Sequence, residues 1–122
     1  MWIFTRYGFV SAACASKPDG TIDTDTIMLR ARSRKHLENL QARFPDTELA
    51  KAAILDSAGT DYRYRAILPK KEWANLLSEL AMEQSWSNFK NEAGRYARSN
   101  KESDGYIDAL HDVWSVMWRL QR

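Results

Sequence analysis

Cysteine is nearly missing from this chain: Cys14 is the single one in 122 residues. One thiol cannot close an intramolecular disulfide or supply a cysteine-based metal cluster. Its neighbours Ala12, Ala13 and Ala15 predict a small buried residue instead. An excess of one charge is missing too. Eighteen basic against 16 acidic side chains leave a formal net charge of +2, too little to imply nucleic acid or an anionic membrane from totals alone. No apolar run approaches the roughly 18 residues of a membrane span. Residues 1–6 lack the basic, apolar, small-residue order of a signal peptide, so the expectation is a cytoplasmic protein without membrane partners.

The usual catalytic signatures are also absent. There is no GxSxG elbow, P-loop, HExxH or paired-cysteine pattern, and the two histidines stand far apart in the chain. Asp19, Asp23 and Asp25 could pass for calcium ligands, but the twelfth position of an EF-hand loop counted from Asp19 is Arg30. The residues therefore predict no metal site, no cofactor and no catalytic constellation. His111-Asp112 is the one histidine–carboxylate neighbour pair. Adjacent helical residues point about 100° apart, so they make no dyad by themselves. A hydrolase using His111 with a distant carboxylate would need a cleft beside it, and the plainer expectation is a hydrogen-bonded structural histidine. His36, early in its helix, is expected to face solvent or cap.

What is present is an ordinary globular composition, 44% hydrophobic and 28% charged. The length suits one domain, residues 1–122, that buries around two thirds of its unfolded surface. Residues 2–5 and 9–15 read as a bent strand or hairpin broken at Tyr7-Gly8. Residues 17–25 (KPDGTIDTD) carry turn chemistry. Thr26 to Arg32 alternates as a half-buried strand, with Ile27, Leu29 and Ala31 on one face. Ser33 suits an N-cap for a helix that carries Leu37, Leu40 and Phe44 up to Pro45. Residues 52–57 and 62–68 flank Ala58-Gly59-Thr60-Asp61 as a hairpin. Pro69 opens a helix with Trp73, Leu76, Leu77 and Leu80 at i, i+3, i+4, i+7. A shorter helix after Ser87 carries Phe89, Ala93 and Tyr96. These elements predict an α+β fold, an antiparallel four- to five-stranded sheet with helices packed on one face, ferredoxin-like or a permuted variant, plus a C-terminal helix. Residues 1–97 form the body, 98–105 a polar hinge and 106–122 the apolar helix.

That last helix, starting at Asp104, has more apolar surface than one contact needs. Ala109, Leu110, Val113, Trp114, Val116, Met117, Trp118 and Leu120 spread over roughly 200° of its circumference, where docking on a core needs only about 100°. Asp108, Asp112, Ser115, Arg119 and Arg122 hold the polar remainder. The chain has five tryptophans, and tryptophan often dominates binding interfaces. Trp114, Val116, Met117 and Trp118 are therefore the expected interface, with a second copy or another protein as partner.

Arginines make the second candidate. If Ile27, Leu29 and Ala31 face the helices, Arg30 and Arg32 face away, and so do Arg63 and Arg65 in the next hairpin. Four guanidiniums on one face would suit phosphate or carboxylate groups of an acidic ligand or a nucleic-acid backbone. The alternative is a solvated face paired with Asp56, Asp61 or the acidic loop. Tyr62-Arg63-Tyr64-Arg65 also resembles the interleaved residues of single-strand RNA readers. Alternation, however, places these tyrosines with Ala66 and Leu68 on the core side.

At Met1-Trp2-Ile3-Phe4-Thr5, Gly8-Phe9, Ser11, Asn88-Phe89-Lys90 and Leu110-His111-Asp112-Val113-Trp114-Ser115-Val116-Met117 the chain resembles a group of small uncharacterised bacterial proteins. The resemblance implies a bacterial source and brings no activity. The leading expectation is a non-enzymatic interaction module that works through its C-terminal helix. Anion binding on the arginine face is the alternative.

Overall fold

A computed structural model describes residues 1–121. It forms two compact units, Met1–Phe4 with Gly8–Ser85, and Thr5–Tyr7 with Trp86–Arg122. Arg122 of the expected polar arc lies outside the described residues.

The first unit is built on a five-stranded antiparallel sheet, in an α+β fold as the periodicities predict. Its strands are β1 (Trp2–Thr5), β2 (Gly8–Ser16), β3 (Ile22–Ala31), β4 (Leu55–Asp56) and β5 (Tyr64–Pro69), in the order β1-β2-β3-β5-β4. The order places β2 beside β3, where a ferredoxin-like layout needs its last strand. Pairing sets Ala12 opposite Leu29 and Leu29 opposite Ala66. Those three, with Val10, Ala31 and Leu68, form the buried face. It is covered by α1 (Arg34–Arg43) and α3 (Lys70–Met82), which contribute Leu37, Leu40, Trp73 and Leu76. Full burial of each such side chain stabilises the unit by about 1.5–3 kcal/mol. The short helix α2 (Glu48–Lys51) is held by Gln41, whose amide donates to the carbonyls of Leu49 and Ala52.

Several local expectations need correction. Strand β3 starts at Ile22, so Asp23 and Asp25 belong to it and only residues 17–21 turn. β-branched Ile22, Thr24 and Thr26 favour extension there. Cys14 is half-exposed rather than buried, because the β2 register shifts between Cys14 and Ala15 near the strand's end. Ser33 holds the N-cap position without a side-chain hydrogen bond. His36 is neither solvent-facing nor a cap: its Nδ1 accepts from the Phe9 amide at 3.2 Å, and its ring lies against Gly8. Gly8 adopts φ +143, and a Cβ there would overlap the base of the His36 side chain.

The second unit contains α4 (Phe89–Ser99), α5 (Gly105–Met117) and a 3-10 turn (Trp118–Gln121). Asn88 caps α4, its side chain accepting from the Asn91 amide. The polar connection from 100 to 104 turns at Lys101, φ 56, and lies wholly inside this unit. Tyr7, Ala93, Ala97 and Leu110 are buried in it. Arg6 stacks over Tyr7 and Trp86 and donates to Glu92. Tyr7 meets Tyr96 edge to face, and the Tyr106 hydroxyl donates to the Thr5 carbonyl at 2.7 Å. Among the described residues no helix is long and apolar enough to cross a membrane.

Candidate functional site

Helix α5 is covered only along its first half. Leu110 is buried and Val113 half-buried, but every residue from Trp114 to Gln121 is exposed. Trp114, Val116, Met117, Trp118 and Leu120 each keep between 52% and 76% of their surface open. The Trp114 and Trp118 rings stand 5.3 Å apart, one turn along the helix, and the Lys90 ammonium sits over the Trp114 ring at 5.0 Å. At about 100° per residue Val116 points some 160° away from Trp114. The four expected interface residues therefore divide between two sides, with Trp114, Met117 and Trp118 on one and Val116 on the other. Beside Val116, Ala109 and Val113 give α5 a spacing of four and three residues, the start of an a/d seam of the coiled-coil kind, and Leu120 follows four residues on in the 3-10 turn. Asp112 and Arg119, seven residues apart, flank the same edge of that seam.

On the sheet the alternation places the arginines as expected but does not leave four of them free. Arg30 and Arg65 are direct partners across β3 and β5. Arg32 is ion-paired with Asp61 at 3.2 Å, and Arg63 with Asp56 at 2.7 Å. The Arg63 guanidinium holds the Asp56 carboxyl below the ordinary carboxylate range, and Asp56 in turn raises Arg63. Among the described residues neither Arg30 nor Arg65 has a carboxylate partner. Arg30 donates to the Ser11 hydroxyl at 2.8 Å, and its Nε is buried without a hydrogen bond. Arg65 donates from Nε to the Tyr62 carbonyl.

Tyr62 departs from the sequence-based placement. It precedes β5, so strand alternation does not reach it, and the guanidiniums of Arg30 and Arg32 lie over its ring at 4.8 and 4.5 Å. With only 5% of its surface exposed it offers no platform for a base.

His111 is exposed and its side chain makes no hydrogen bond among the described residues, so the structural-histidine expectation fails. It lines a cleft of about 370 Å³ between α4 and α5, together with Asn88, Lys90, Asn91, Gly94, Arg98 and Ile107. Asn91, Gly94 and Arg98 recur along one face of α4, as Ile107 and His111 do along α5. Among the described residues no carboxylate, hydroxyl or thiol lines this cleft beside His111. Sequence reading missed Lys90 and Arg98. The signal was their helical spacing around a mid-helix glycine, which becomes a cleft only once α4 and α5 face each other. Among the described residues no cluster of three or more histidine, cysteine, aspartate or glutamate side chains could hold a metal ion.

No family model, curated protein or solved structure matches the chain.

Proposed function

We propose that this chain is a protein–protein interaction module that self-associates through the projecting end of α5. One observation carries the reading: the segment from Trp114 to Gln121 is rich in large apolar side chains and exposed throughout. Covering half-exposed side chains of this size returns about 1 kcal/mol apiece, and of the five within two turns Val116 and Leu120 lie away from the tryptophan side. The charges favour a second copy as the occupant. Asp112 stands in the first half of the seam and Arg119 in the second. An antiparallel, two-fold pairing sets Asp112 of each copy beside Arg119 of the other, and a parallel pairing does not.

Light scattering behind size exclusion tests this at high micromolar concentration. A dimer is expected for the native chain, with Val116→Asp and Leu120→Asp giving monomers that keep the native circular-dichroism spectrum. A native chain that is monomeric across the whole concentration range would overturn the proposal.

A second reading, anion binding on the sheet, is favoured by the Arg30–Arg65 pair. Like charges set directly opposite each other across a strand pair are unfavourable, and an anionic group lying between the two guanidiniums would relieve that repulsion.

A further inference from the structure

We infer that the cleft between α4 and α5 is a binding site for the phosphoryl group of a small phosphorylated molecule. Lys90, Arg98 and His111 converge on it from two helices, and the amide side chains of Asn88 and Asn91 stand at its rim. Among the described residues no carboxylate lines the cleft and none forms an ion pair with Lys90 or Arg98. The Asn88 side-chain oxygen is engaged by the Asn91 backbone, which leaves its NH2 group to donate outward. Donors thus dominate the lining, as an oxyanion requires.

Charge selects phosphate over carboxylate. A phosphomonoester carries close to two negative charges at neutral pH, matching the two permanent cations, whereas a carboxylate leaves one of them uncompensated. Gly94 makes room: a Cβ there would approach the Arg98 guanidinium to 3.2 Å, tighter than an ordinary contact. Ile107 supplies an apolar wall for the rest of the molecule. The volume, about 370 Å³, falls at the small end of the range for metabolite pockets, which fits a compact ligand rather than a polymer backbone. The site lies on the α4 side of α5 rather than along the Val116 seam, and its Lys90 ammonium rests over the Trp114 ring at 5.0 Å.

The test is a nuclear magnetic resonance titration of the full chain with inorganic phosphate, run beside sodium chloride at matched ionic strength and beside acetate. Saturable shifts at the amides of Asn91, Gly94 and His111 are expected with phosphate, with acetate at least about tenfold weaker. The double substitution Lys90→Gln with Arg98→Gln should weaken phosphate by about tenfold or more, since each charge-assisted hydrogen bond is worth that much. Lys71→Gln, at an exposed cation of the first unit outside the cleft, should leave it unchanged. Equal responses to phosphate and chloride, equal affinity for acetate, or undiminished phosphate binding in the well-folded double variant would each overturn the inference. The comparison of anions on the native chain needs no variant to fold.

Discussion

Arg6 donates through Nη1 to Glu92 Oε1 at 2.8 Å, joining positions 86 apart in the chain. Arg95 holds the same carboxylate from the next turn of α4, through Nε at 2.9 Å and Nη2 at 2.5 Å. Only 10% of the Glu92 side chain is exposed. Within the second unit this two-arginine clasp fixes residues 5–7 against α4, with Trp86 and Tyr7 stacked on the Arg6 guanidinium.

The clasp makes a pH prediction. Hydrogen bonds from Arg95 and then Arg6 lower the Glu92 carboxyl from its ordinary 4.5 to about 2. A depressed folded-state value stabilises the protein above the unfolded value, and that stabilisation is lost as pH falls through the folded one. The native chain should therefore hold a higher urea midpoint than Glu92→Gln at neutral pH. The gap should close steadily as pH falls from about 4.5 toward 2. A gap that stays constant over that window would show that Glu92 acts by packing alone.

Gly8→Ala should be among the most damaging single-methyl additions in the chain. The backbone there is at φ +143, and the new Cβ would meet the Cβ and Cγ atoms of His36, the base of that side chain rather than its flexible end. A loss above about 2 kcal/mol in urea unfolding is expected. Gly20→Ala, at φ +87 with open space around it, should cost about 1 kcal/mol. Adding His36→Ala to Gly8→Ala should recover only part of the steric cost, because the Cβ of residue 36 stays 2.6 Å from the new methyl, a partial coupling that a double-mutant cycle reads directly.

These two cases show which features sequence reading reaches. Strands and helices with a clean period were legible: Leu29 and Ala66, or Trp73 and Leu76, are buried where alternation and helical spacing put them. So was the sidedness of Arg30 and Arg65. What escaped depends on long-range meetings. Nothing near His36 announces Gly8, and nothing near Glu92 announces Arg6. Tyr62 was misplaced because its residue type and spacing continue a strand that the backbone has not yet begun. The exposed end of α5 was legible as excess apolar surface. The split of that surface into a tryptophan side and a Val116 seam becomes visible only when Leu110 shows which way the helix faces.

The arginine pair yields a salt test. If Arg30 and Arg65 bind a phosphate backbone, single-stranded oligonucleotides should be retarded at low salt and released steeply as salt rises. Arg30→Ala with Arg65→Ala should abolish that retardation. Arg32→Ala and Arg63→Ala should change it little, since their charges are already met by Asp61 and Asp56. Absence of any retardation at low salt would retire the nucleic-acid form of the second reading.

Self-association through the seam makes the sharpest prediction, because it concerns a pair of charges that do not touch within one molecule. Asp112→Arg alone should place two positive side chains at each end of an antiparallel dimer, and Arg119→Asp alone should place two negative ones. Each single reversal should therefore weaken dimerisation, and more strongly at low ionic strength, where surface charges are least screened. Combining both substitutions restores opposite charges at each end in swapped positions, so the double variant should dimerise like the native chain. An equimolar mixture of the two single variants should form a heterodimer in preference to either homodimer. Sedimentation equilibrium on the four proteins and the mixture reads all of this. A double variant no better than its parents would mean that Asp112 and Arg119 do not meet, and that any dimer forms through the tryptophan side of α5 instead.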